Sequence, residues 1–170
     1  MAKRIASNIN TTLTATADTT NLVDSTYPIA IQGTQTTQQI VLYEVYMGGQ
    51  STSSAPTYTL LSFDSQIATG SLTKDATLND TLLNGGGTAL VSGSVPTVFN
   101  KAATNKPQRD VAKHLMPLSF NAFGGVVRWL AAPGEEITMV GVTASYGEVS
   151  LSAFTGGAGI ISSHIVFETL

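Results

Sequence analysis

Side chains able to make or break bonds are scarce in this 170-residue chain, which has two histidines, eleven acids, eight bases and no cysteine. The lack of cysteine removes thiol nucleophiles, disulfide frameworks and every cysteine-containing zinc site. A serine-hydrolase arrangement would need His114 or His164, and no G-x-S-x-G turn exists to expose a serine. His164 shares one face of an extended segment with Ser162, Val166 and Glu168, which suits a cross-strand hydrogen bond or an interface contact. His114 falls in a polar stretch and reads as solvated. Glu135 and Glu136 are adjacent, and neighbours in a strand point to opposite faces, so they do not converge on one substrate bond. Asp75, Asn79 and Asp80 lack the D-x-D-x-D-G order and the closing glutamate of a calcium loop. Gly85, Gly86 and Gly87 have no Lys-Ser/Thr after them, and the glycines of 156–159 lie between strands, so neither run cradles a phosphate. The chain is therefore expected to have no catalytic residues, no metal site and no cofactor.

Binding chemistry is better supplied. Lys101, Lys106, Arg109 and Lys113 are half of all the bases, and with Asp110 they give the segment 101–114 a charge of +3 while the rest carries −6. That asymmetry suggests a docking surface for an acidic partner or for a neighbouring copy, with Lys3 and Arg4 near the N-terminus serving the same end. A net charge of −3 disfavours nucleic acid as the partner. Tyr43, Tyr46, Tyr58, Trp129 and Tyr146 offer rings for a sugar platform. Trp129, however, alternates in phase with Val127 and Ala131, which fits a core position.

The elements that must position these groups read as strands. Residues 39–47 place Val41, Tyr43, Val45 and Met47 on one face and Ile40, Leu42, Glu44 and Tyr46 on the other, a strand buried on both sides, with 57–63 as its partner. Segments 126–131 and 135–140 flank an Ala-Pro-Gly turn. In 147–153, Val149 and Leu151 point inward while Glu148, Ser150 and Ser152 point out; in 160–170, Ile161, Ile165 and Phe167 share a face. Strands at about ten-residue spacing joined by turn chemistry predict an all-β fold, an antiparallel β-sandwich or jelly roll. Residues 107–115 are the one candidate helix, because Pro107 suits a first turn. Residues 1–38 read as an extended arm and edge strand, and 39–170 as one sandwich domain with a loop-rich insertion at 66–117, in which 78–83 and 89–91 are short strands.

Composition frames the whole. Apolar residues are 42% and charged residues only 11%, and the 24 threonines and 16 serines do most of the solvating. Average soluble proteins carry roughly 25% charged residues. No apolar run is long enough for a signal peptide or a membrane span, so synthesis in the cytoplasm is expected.

Three stretches resemble small virion-associated proteins of tailed phages, capsid decoration (cement) proteins above all: Val126-Val127-Arg128-Trp129-Leu130-Ala131-Ala132-Pro133-Gly134-Glu135-Glu136, Gly147-Glu148-Val149-Ser150-Leu151-Ser152, and Ser162-Ser163-His164-Ile165-Val166-Phe167-Glu168. The similarity covers about the last 45 residues. It implies a sandwich body made in the host cytoplasm that sits on the outer surface of the phage head as a homotrimer, bound to the major capsid protein. It implies no catalytic residue, no nucleic-acid or membrane partner and no small-molecule substrate. Residues 92–117 and the N-terminal segment are the expected contacts. The alternative is a carbohydrate- or receptor-binding module of a fibre or tail; an enzyme would need Glu135, Glu136 or His164 in a concave pocket.

Overall fold

The computed structural model describes residues 3–16, 20–23, 26–70, 72–73, 79–82, 96–102, 104–141 and 146–170. Asp75, Gly85, Gly86, Gly87 and the strand expected at 89–91 lie outside them. Among the described residues thirteen strands are formed: β1 (Arg4–Leu13), β2 (Ile29–Gln32), β3 (Gln39–Gly49), β4 (Pro56–Gln66), β5 (Leu72–Thr73), β6 (Asn79–Leu82), β7 (Thr97–Phe99), β8 (Lys101–Ala102), β9 (Gln108–Asn121), β10 (Val126–Leu130), β11 (Ile137–Val140), β12 (Glu148–Gly156) and β13 (Gly159–Thr169).

Two antiparallel sheets pack face to face. The first runs β10-β3-β13-β1-β6, with β11 continuing the β10 edge of β3, and the second runs β7-β2-β12-β4-β9. The long ladders nest: β1 pairs with β13, β2 with β12, β3 with β10 and β11, and β4 with β9. A hairpin of eight segments that curls over itself produces this order, with β13 against β3 in one sheet and β12 against β4 in the other. The fold is an antiparallel β-sandwich of jelly-roll connectivity.

Inward side chains of both sheets make one core that includes Ile31, Leu42, Val45, Met47, Leu61, Val149, Leu151, Ile165 and Phe167. Burying each such aliphatic side chain stabilises the fold by about 1.5–3 kcal/mol before the entropy of ordering it is deducted. Trp129 packs against this core, as its phase predicts. A smaller apolar cluster of Leu22, Tyr27, Ala30, Ala68 and Phe99 lies on the far side of the second sheet, under the connections that cross it.

Five expectations need correction. Residues 57–63, expected to pair with the 39–47 strand, lie on β4 in the second sheet between β12 and β9, while β3 pairs with β10, β11 and β13. Residues 108–115 are strand, not helix, because β9 is held by the whole length of β4. Its register slips repeatedly, so that Ser62 faces His114 while Asp64 faces Arg109, and residues 110–113 are bulged out. The period-2 reading of β3 fails at Tyr43: Leu42 faces Phe167 and Glu44 faces Val166, leaving Tyr43 as the extra residue of a bulge. Ile40 and Leu42 thereby join Val45 and Met47 on the core face. The N-terminal residues are built into the sandwich: β1 lies between β13 and β6, not at an edge. Glu148, Ser150 and Ser152 do point away from the core, yet all three are fully buried beneath the covering connections.

Candidate functional site

The outer face of the first sheet gathers the best-formed exposed cluster. Arg128 on β10 and His164 on β13 both stand opposite Tyr46 on β3. Glu44 lies two residues along β3 on the same face and receives both side chains. Arg128 donates from Nε to Oε1 at 2.8 Å and from Nη2 to Oε2 at 3.0 Å, a bidentate geometry. His164 Nε2 meets the same Oε1 at 3.0 Å, and its ring lies flat on Tyr46, 4.7 Å between centroids and 9° between planes. The Arg128 hydrogen bond holds the Glu44 carboxyl below its ordinary range, with burial opposing and His164 assisting. Glu44 in turn raises the guanidinium of Arg128. His164 therefore has a cross-strand role, and the charges of the cluster close on one another. Around it the sheet exposes apolar side chains: Val126 and Leu130 are each 61% accessible on either side of Arg128, and Val140 and Ile160 are also exposed.

The second sheet carries a polar row on its outer face. In register from strand to strand stand Gln32 (β2), Glu148 (β12), Asp64 (β4) and Arg109 (β9). Ser150 donates to Asp64 Oδ1 at 2.7 Å, and the Ala68 amide donates to Glu148 Oε2 at 2.8 Å. The remaining oxygens, Asp64 Oδ2 and Glu148 Oε1, are buried without a donor. Burial is the main cause that raises both carboxyls, Asp64 well above its ordinary value and Glu148 to about 7; the neighbouring Glu148 pushes Asp64 further, and Arg109 pulls it back only weakly. Arg109 runs along the face, donating from Nη1 to Ser152 Oγ at 2.8 Å and from Nη2 to the Thr16 carbonyl.

The basic residues singled out in the sequence do not form one surface. Arg109 is 1% accessible and Arg4, opposite Phe167, is 7%, so neither is available to a partner in this chain. Lys113 pairs with Asp110 at 3.4 Å and lies 4.0 Å above the Tyr146 ring. Lys3 covers Tyr43 at 3.7 Å, and the Tyr43 hydroxyl donates to Glu168. Lys106 is half-buried, and Lys101 lies on β8 with its side chain outside the described residues. Interleaving on bulged strands scatters what a linear charge count joins.

The aromatic residues are dispersed too. Tyr58 borders a groove of about 470 Å³ with Pro56, Ser119, Phe120, Asn121 and Thr155. Tyr58 meets Phe154 edge-on at 5.6 Å. Asn121 is committed to structure: its Oδ1 accepts from the amides of Ala55 and Phe123, and its Nδ2 donates to Ser54. Glu135 is exposed in the turn after Pro133, and His114 is exposed on β9. Asp64 and Glu148 were missed by sequence reasoning as a pair, since only strand register brings them together. Scans against protein-family models, curated proteins and solved structures returned no match.

Proposed function

We propose that the protein is a virion structural component, a capsid decoration protein that binds the major capsid protein across capsomer joints on the outer surface of a phage head. In this reading it acts as a homotrimer and works by contact energy alone. The observation that carries it is the outer face of the first sheet, where Glu44 and Arg128 form a bidentate ion pair that His164 also contacts, and Val126 and Leu130 stand exposed beside them. Interface centres are depleted in unpaired charge and enriched in apolar and aromatic contacts, and this face has that character. The low charged fraction of the whole chain supports the same reading, because a surface covered by sister copies and a shell needs few ionic groups. The test is co-sedimentation with expanded empty heads of the phage that encodes the chain. Saturable binding at a fixed number of copies per head is expected; no binding to any head preparation would overturn the assignment.

The groove beside Tyr58 supports a second reading, a carbohydrate- or receptor-binding module in which a sugar stacks on that ring. On a glycan array, binding that is lost in Tyr58→Ala would establish it, and a flat array would dismiss it.

A further inference from the structure

Asp64 and Glu148 occupy the position of the β4–β12 ladder next to the Phe63–Val149 pair, so their carboxyls oppose each other on one face. Both are 0% accessible. Each has one oxygen bound to a donor, Ser150 or Ala68, and one buried oxygen with none. Two ionised carboxylates in that position would leave two buried acceptors without a donor and two like charges side by side, a costly arrangement. One proton between them turns the orphaned oxygens into donor and acceptor and removes one of the charges.

The surroundings decide what gives way if the proton leaves. Among the described residues, the other titratable or charged groups on the elements packed around the pair are Arg109, His114, Asp110 and Lys113 on β9, Tyr58 on β4, Tyr146 just before β12, and Tyr27 and Lys106 on the connections that cover the sheet. Among its contacts, Arg109 donates to Ser152, Ala153 and Thr16. On the inward side lies the packed sandwich core, with Phe63 and Val149 as immediate neighbours. On the outward side, among the described residues, lie chain connections. The connection at Ala68 is held by Glu148 through its amide and by Gln32 through its carbonyl, at 3.1 Å. Water can reach the acids by displacing that connection and cannot do so through the core.

We propose that Asp64 and Glu148 share a single proton in the folded protein and form a pH latch: with the proton present the connection at Ala68 is clamped to the second sheet, and its loss in mildly alkaline solution releases that connection while the sandwich stays intact. The latch stands independently of the capsid reading.

Amide exchange on the intact chain tests it. Protection of the Ala68 amide is expected to fall about tenfold between about pH 6 and about pH 9, since the closed pair holds one proton more than the opened pair between the ordinary carboxyl range and its own raised titration, and the opening equilibrium rises by up to tenfold per pH unit in that interval and levels off above it. Val45, in the first-sheet core, should stay far better protected than Ala68 at every pH in that range. In Glu148→Gln, which keeps an acceptor for Ala68 and offers an amide to Asp64, the Ala68 response should vanish. Unchanged Ala68 protection in the wild type, or Val45 protection as low as that of Ala68 at about pH 9, would overturn the latch. Infrared difference spectra of the wild type give a measure that needs no variant: a protonated-carboxyl band should persist at about pH 6, above the ordinary carboxyl range, and disappear by about pH 9. Its absence at about pH 6 would equally overturn the proposal.

Discussion

Burial holds the Glu148 carboxyl at about 7 against 4.5 for an ordinary glutamate, and Asp64 moves the same way. The folded chain therefore binds more protons than the unfolded chain across that interval, so stability is greatest below it and falls as pH rises through it. Glu44 has the opposite sign: held low by Arg128, it contributes stability above the ordinary glutamate range that is lost as pH falls through its lowered value. Thermal unfolding across pH should thus show a midpoint that declines on both sides of mildly acid solution. Glu148→Gln should flatten only the alkaline limb and Glu44→Gln only the acid limb. The two bases that the sequence groups together should also separate. Arg109→Met leaves buried acceptors at Ser152, Ala153 and Thr16 and should cost about 2–4 kcal/mol in urea unfolding. Lys113→Ala, which loses a partly exposed pair with Asp110, should change stability by about 0.5 kcal/mol or less. Charge at 101–114 was legible in the sequence; which of those charges is buried was not, because that depends on where the bulges in β9 fall.

At the scale of elements, the turn between β12 and β13 is fixed by close backbone approach. Gly156 has φ +113°, and a Cβ there would overlap the Pro56 carbonyl oxygen at the end of β4. Gly134 also has positive φ, +87°, but the space around it is open. Gly156→Ala should therefore lower the unfolding free energy by about 2–3 kcal/mol, and Gly134→Ala by about 1 kcal/mol, the strain of the conformation alone. Guanidinium titrations of the two variants side by side would check the order. Alternation and turn residues made β3, β4, β10, β12 and β13 legible, and the inward set of β13 lies where its period puts it. The bulge at Tyr43 was not legible, because both faces of β3 are rich in apolar residues and a one-residue slip leaves no mark in such a pattern. The stretch that imitates a helix at 107–115 misled for a related reason: bulging breaks the alternation that identifies a strand, and Pro107 is as compatible with a strand start as with a helix start.

For the whole molecule, the jelly-roll order follows from ladders far apart in sequence, such as β1 with β13, which no local signal encodes. Charge poverty, by contrast, is plain from composition, and the folded chain accentuates it. Arg4, Asp64, Arg109 and Glu148 are buried, and Arg128, Lys113 and Lys3 lie on partners. Such an exterior fits a molecule whose first-sheet face is covered by other copies. Placing a charge there, as in Val126→Lys with Leu130→Lys, should leave the far-ultraviolet spectrum unchanged and dissociate the assembly. The most direct measurement is the solution mass of the purified chain by light scattering at micromolar concentration. A homotrimer gives three times the 17.7 kDa chain mass, falling to the single-chain value in the doubly charged variant. A wild-type mass of 17.7 kDa throughout that range would contradict it.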